Sequence, residues 1–237
     1  MIICIDPGHG GHDPGAGSGQ YMEKTYALAI AQKLGERLKN MGHEVFYTRR
    51  TDAFISLSGR CQAANERKAD LFISIHLNAA ASSAASGIET FCYGTKGKGK
   101  ELANCVQRAL ISATGEKDRG VKDGSRLAVI RGTNMPAILV ETGFISNYHD
   151  LKKLITYEYQ VVLSDAIAAG VKEYLGDAPK EDPQSAPLTA PNDIVWQLSE
   201  WGIVTDPEGM LKEMEENPNG RLYHLAKKCV NYMKNTA

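Results

Sequence analysis

The run L-F-I-S-I-H-L at residues 71–77 constrains the chain more than any other stretch. It is nearly continuous in large apolar residues. Strands that read this way are buried on both faces, as they are at the centre of a parallel sheet covered by helices. The rest of the chain fits such a sheet. Residues 1–5, 44–48, 87–93, 127–131 and 137–141 are further strand-like runs. Between and after them lie helical patterns. Ala27, Ile30, Ala31, Leu34 and Leu38 recur at helical spacing within residues 23–41, and Gly42 stops that helix. Residues 56–68, 101–113, 147–154 and 157–175 read as helices too, with Ser56 or Ser58 as a cap for the first of these. Strands alternating with helices predict an α/β domain, mostly parallel, that ends near Gly176. Residues 177–191 carry four prolines among small polar residues and are expected to be an extended linker. Residues 192–237 predict a small helical domain, close to the lower size limit for a core of its own.

Bulk properties narrow the function. With Lys and Arg at 27 and Asp and Glu at 28, the formal net charge is −1, so no global positive field directs the chain to nucleic acid. No apolar run reaches the roughly 18 residues of a transmembrane helix. The first strand-like run begins at Met1, which leaves no room for a signal peptide, so the expectation is synthesis in the cytoplasm. The five cysteines include no C-x-x-C pair, and Cys4 and Cys92 sit in apolar runs. They read as small buried thiols, neither disulfides nor metal ligands.

The chemistry is concentrated in M-I-I-C-I-D-P-G-H-G-G-H-D-P-G-A-G-S-G-Q-Y-M-E, residues 1–23. A strand stops at Asp6-Pro7-Gly8, His9 follows at its end, and a glycine-rich loop leads to Glu23 at the head of a helix. No window fits G-x-G-x-x-G. The loop 94–100 stops one residue short of a phosphate-binding loop, because Glu101 stands where a hydroxyl is required. His76 sits at the carboxyl end of the central strand. His9, Glu23 and His76 together form a His/Glu/His set that suits zinc, with a fourth position left for water. Glu141 closes the apolar run A-I-L-V-E. A carboxylate there needs a partner or a task. Either it is bridged to an arginine such as Arg49, Arg60 or Arg131, or it acts as general base or acid beside the metal.

Several stretches in order, I-D-P-G-H-G-G-H-D-P-G-A, Glu23, T-R-R-T-D with Arg60, S-I-H-L-N-A and V-E-T-G-F-I-S-N, resemble the zinc-dependent N-acetylmuramoyl-L-alanine amidases of the amidase 3 type. The resemblance covers about residues 1–176. It implies a roughly six-stranded α/β fold and one zinc ion on His9, Glu23 and His76, with Glu141 as the catalytic glutamate. The substrate it implies is bacterial peptidoglycan, cut between the lactyl group of N-acetylmuramic acid and the first L-alanine of the stem peptide. His12 matches no ligand position. Some members of the family insert a long helix that blocks the site. Here the corresponding stretch is only G-T-K-G-K-G-K, so no such block is expected. Without a signal peptide the chain resembles a bacteriophage endolysin, acting on the wall after release; a host autolysin or spore-wall hydrolase is the alternative. The tail motif W-Q-L-S-E-W-G-I-V-T-D-P resembles helical modules of some lysins and wall hydrolases. Wall binding, or packing into a homo-oligomer through the C-terminal helices, are both open for it. A zinc peptidase cutting within the stem peptide, a non-hydrolytic peptidoglycan-binding module and a metal-free glycosidase using Glu23 and Glu141 are the competing expectations.

Overall fold

In a computed structural model of the chain, residues 1–176 and Lys212 are described. The expected linker, the C-terminal helices and Cys229 lie outside these residues.

Six strands form one sheet. They are β1 (Ile2–Pro7), β4 (Glu44–Tyr47), β5 (Leu71–Asn78), β6 (Ile88–Cys92), β7 (Asp118–Asp123) and β8 (Ala137–Phe144), ordered β4-β1-β5-β8-β6-β7. A two-stranded ribbon, β2 (Gly17–Ser18) with β3 (Tyr21–Met22), sits in the loop after β1. The four strands from β4 to β8 run parallel, β6 is antiparallel to β8, and β7 is parallel to β6. The sheet is thus mostly parallel, as expected, with one reversal of direction.

Alternation along the strands sends side chains to two cores. Ile3, Ile5, Leu71, Ile73, Ile75, Ile138 and Val140 face the larger one. There they meet α1 (Glu23–Asn40), α3 (Lys98–Thr114) and α6 (Tyr157–Tyr174). Cys4, Phe72, Ala137 and Leu139 face the thinner one, roofed by α2 (Leu57–Glu66) and the short α4 (Ala128–Arg131). The helix α5 (Tyr148–Leu154) follows β8. Asn147 caps α5 by accepting from the His149 and Asp150 N–H groups, and Ser56 caps α2 through Gly59 N–H. Helix α1 has no side-chain cap. It carries Glu23 in its first turn and Arg37 and Lys39 in its last, the arrangement that complements the helix dipole.

Two sequence expectations are corrected. Residues 127–131 are not a strand: 128–131 form α4, whose Val129 and Ile130 are buried against the thinner face. A short apolar run does not by itself distinguish the two states. The sixth strand is β7, D-R-G-V-K-D, an edge strand with no apolar run to announce it. Glu141 lies inside β8 and not at its end, because pairing continues to Phe144. Cys4 and Cys92 are free and buried, as read from their surroundings, and Cys61 is free and buried as well.

Candidate metal centre

On the thinner face the inward residues turn polar toward the carboxyl ends of β1, β5 and β8. Asp6 pairs in register with Ser74, and His76 with Glu141. Beyond β1 the chain turns sharply: His9 has φ 59°, followed by Gly10 at φ 129° and Gly11 at φ 59°. A left-handed conformation costs a non-glycine residue roughly 1–2 kcal/mol and persists only where its surroundings over-determine it. Two buried arginines do so. Arg60 donates to the carbonyls of Pro7 (2.6 Å) and His9 (2.7 Å) and to Asp6 Oδ1 (2.7 Å). Arg49 donates to the carbonyls of Pro7 (3.0 Å), Gly8 (2.7 Å) and Lys24 (2.8 Å). Asp6 also accepts from Thr48 Oγ1 and Ser74 Oγ, so its buried charge is fully partnered.

This loop carries His9 to Glu23 and His76. His9 Nε2 lies 3.1 Å from Glu23 Oε2, and His76 Nδ1 lies 2.8 Å from Glu23 Oε1. Glu23 is 3% exposed, and its oxygens also accept from the backbone N–H groups of Leu77 (3.0 Å) and Ala16 (2.8 Å). The two imidazole rings meet edge-on at 5.0 Å. Glycines make the approach possible. A Cβ on Gly8 would stand 2.4 Å from His76 Cε1, and one on Gly15 would stand 2.6 Å from Glu23 Oε2. One donor atom from each of His9, Glu23 and His76 falls within 4.8 Å of the others.

The protonation logic of the set calls for a cation. His9 Nδ1 donates to Asp13 Oδ2 at 2.8 Å. A neutral His9 then turns the lone pair of Nε2 toward a carboxylate oxygen, which is repulsive unless a proton or a metal lies between them. Accordingly, burial lowers the His9 pKa but Glu23 and Asp13 overcome it and raise the ring to about 9. Burial pushes the Glu23 carboxyl up, yet the hydrogen bonds from His76 and His9 hold it far below its ordinary range. Two imidazoles and one carboxylate, one histidine steadied by an outer carboxylate, are the donor chemistry of a divalent transition metal.

Glu141 stands in the neighbouring position on β8. Among the described residues no arginine bridges it: Arg60 pairs with Asp6, and Arg49 holds backbone carbonyls. Its Oε2 is buried and has no hydrogen-bond partner among the described residues. Burial raises its pKa from 4.5 to about 7; His76 opposes the rise, while Glu23 and Glu89 add to it. His12 is outside the set, with its ring 4.1 Å from that of Phe54. Sequence reasoning missed Asp13, the inward turn of both arginines, and Glu89. The signals were Asp13 four residues after His9 and a lone carboxylate in the apolar run G-I-E-T-F-C. Beside His9 and His76 opens a cleft of about 420 Å³ walled by Phe54, Ile55, Leu57, Leu127, Val129 and Leu139.

A doubly wound α/β domain with a His/Glu/His donor set at its strand ends and an unpaired carboxylate alongside has the parts of a metal-dependent hydrolase. The family described as N-acetylmuramoyl-L-alanine amidase matches residues 3–173, and the chain belongs to that family. It is 40% identical over 174 residues to the uncharacterized protein YqiI of Bacillus subtilis (strain 168), covering 73% of this chain and 84% of YqiI. It is 40% identical over 175 residues to the N-acetylmuramoyl-L-alanine amidase LytC of the same strain, covering 73% of this chain and 35% of LytC. The crystal structure of the N-acetylmuramoyl-L-alanine amidase from Clostridium difficile 630 superposes with a TM-score of 0.72 at 39% identity. That match covers 75% of this chain and 97% of the other.

Proposed function

We propose that the chain hydrolyses the amide between the lactyl group of N-acetylmuramic acid and L-alanine in peptidoglycan, with one zinc ion held by His9, Glu23 and His76. The observation that carries this reading is the in-register pairing of Glu141 with His76, which sets a carboxylate whose Oε2 has no hydrogen-bond partner among the described residues beside a candidate metal donor set. Zinc bound there would polarise the scissile carbonyl and make water a competent nucleophile at neutral pH. The Glu141 carboxylate takes the proton of the attacking water as the new C–O bond forms. It then delivers that proton to the amide nitrogen as the C–N bond breaks, so one water is consumed and the carboxylate is regenerated. Burial raises the Glu141 pKa above its ordinary value, which equips the carboxyl both to take and to give a proton in this relay. Asp13 keeps His9 in the tautomer whose Nε2 faces inward, and Arg49 and Arg60 hold the loop that positions it.

β6 passes to α3 through residues 93–97 with no inserted helix, which supports an enzyme governed by access to the wall, as a phage lysin is. A host wall amidase shares that geometry. Lysis of cells that make the protein internally, occurring only once their membrane is opened, would support the lysin reading; lysis without opening would oppose it.

The test of the chemistry is mass spectrometry of purified peptidoglycan digested with and without a chelator. Free stem peptides beginning with L-alanine, lost on chelation and restored by zinc, are expected. Cuts inside the peptide would replace the assigned bond with a peptidase reading. Cleavage that survives chelation would favour the metal-free glycosidase.

A further inference from the structure

Glu141 has a second neighbour in register, Glu89 on β6. Glu89 is 4% exposed and saturated with donors: Asn78 Nδ2 at 2.6 Å, Arg119 Nε at 2.7 Å and Lys122 Nζ. Arg119 and Lys122 are three apart on β7, and in a regular strand their side chains would face opposite ways. They reach one carboxylate because β7 carries a bulge. Ile88 pairs with Asp118 and Thr90 with Val121, so β7 spends one more residue than β6 there, and Gly120 takes φ 76°. Two cations thus share one buried anion, and one positive charge is left over on the Glu89 flank of the site. Arg119 is fixed by stacking on Phe144 at 4.7 Å, while the Lys122 side chain is 40% exposed.

The two flanks of the site differ. On the His9 and His76 side lies the apolar cleft of about 420 Å³. On the Glu141 side lies this cationic ledge. The proposed substrate has the same asymmetry, with sugar and acetyl methyl groups on one side of the scissile amide and free carboxylates on the other. Glu141 must face the departing nitrogen, so the peptide leaves across β6 toward β7. From that nitrogen to the main-chain carboxylate of the next residue is about 7 Å in an extended peptide. Lys122 pairs with Phe91, two residues along β6 from Glu89, but its Nζ reaches back to the Glu89 carboxylate, which stands one strand spacing of about 5 Å from Glu141. A carboxylate about 7 Å from the departing nitrogen comes within salt-bridge reach of that Nζ.

We infer that Lys122, seated with Arg119 on Glu89, is a specificity determinant that binds the first free carboxylate of the stem peptide beyond L-alanine. This rests on the amidase reading above and assigns the substrate's orientation within it. The probes are two N-acetylmuramoyl-L-alanyl-γ-D-glutamyl-L-lysine peptides that differ in one group, an α-carboxylate or an α-carboxamide. The zinc-loaded wild-type chain should favour the carboxylate by about tenfold or more in kcat/KM, mostly through KM, as a charge-assisted contact does. Lys122→Met should bring that ratio close to one, and Lys122→Arg should keep it. Because the ratio is taken within one variant, a general loss from disturbing Glu89 cancels. Calorimetric binding of both peptides to the Glu141→Gln protein, with and without Lys122→Met, reads the same ratio without turnover. Equal use of the two peptides by the wild type, or a ratio that survives Lys122→Met, overturns the inference and leaves the amidase reading standing. Absence of cleavage with a Lys122-dependent binding ratio retained would overturn the reaction and keep the subsite.

Discussion

Replacing Glu141 by glutamine should stabilise the metal-free protein at pH 8 and leave it nearly unchanged near pH 4. Burial, helped by Glu23 and Glu89 and opposed by His76, lifts this carboxyl from 4.5 to about 7. The folded chain therefore holds a proton that the unfolded chain has released between those two values. Stability falls as pH rises through that window, and the full penalty is present above about 7. At about 1.36 kcal/mol per pH unit the gap corresponds to roughly 3 kcal/mol. Glutamine keeps the shape without the charge. Its amide donors enter a place where Oε2 already lacks a partner, so about 2–3 kcal/mol should be recovered. Urea unfolding followed by far-ultraviolet circular dichroism, in excess chelator at pH 4, 6 and 8, measures the difference between variant and wild type. It should open from near zero to its full size across that range. Added zinc should shrink it, because a nearby cation favours the charged carboxylate. A difference that is the same at every pH, or a variant less stable at pH 8, would refute the assignment of Glu141 as an uncompensated buried acid.

Three further substitutions probe the supports of the site. Gly8→Ala puts a methyl 2.4 Å from His76 Cε1; it should cost about 1–3 kcal/mol and weaken zinc retention in a chelating-dye competition, and unchanged retention would mean the ring position is not set by Gly8. Arg60→Met strips the buried Asp6 of its cation and frees the Pro7 and His9 carbonyls; about 3–5 kcal/mol should be lost in denaturant titration, and a loss below about 1 kcal/mol would remove the clamp from the account. Asp13→Ala unties His9 Nδ1; zinc affinity should fall by about 10–100-fold with little change in midpoint of unfolding, and full affinity would deny Asp13 its orienting role.

The candidate donor set is legible because its residue types are costly where they stand. His76 interrupts a run that otherwise buries only apolar groups, and Glu141 does the same in A-I-L-V-E. His9 and Glu23 were legible through turn chemistry, since Asp6-Pro7-Gly8 ends a strand and Glu23 opens an amphipathic helix. What surrounds them was not. Arg49 and Arg60 bind backbone carbonyls, which carry no sequence signature, so their inward turn is visible only in the folded loop. The polar strand β7 is held by pairing to β6 and by a bulge, both of them tertiary facts. The run 127–131 went to helix because Val129 and Ile130 had the thinner face of the sheet to cover.

The position of the site follows from how the sheet is wound. The chain goes from β1 through α1 to β4 on one side, then returns through α2 to β5 on the other side of β1. Right-handed crossovers that leave one strand in opposite directions must lie on opposite faces. The packing agrees, with Ala27, Ile30 and Leu34 of α1 on the larger core and Cys61 and Ala64 of α2 on the thinner one. A crevice therefore opens beyond the carboxyl ends of β1 and β5, where ligands bind in open α/β sheets, and His9 and His76 are the residues delivered there. The reversal at β6 adds the rest. Running opposite to β8, β6 starts at the end where the donor set lies, so its second residue, Glu89, pairs with Glu141. A parallel strand in that place would present its carboxyl half instead, and the bulge of β7 would lie away from the site. Side-chain direction alternates with a period of two, so closing the bulge by deleting one residue would turn Arg119 or Lys122 to the other face. The reversal and the bulge together are what set two basic side chains on Glu89, the carboxylate paired in register with Glu141.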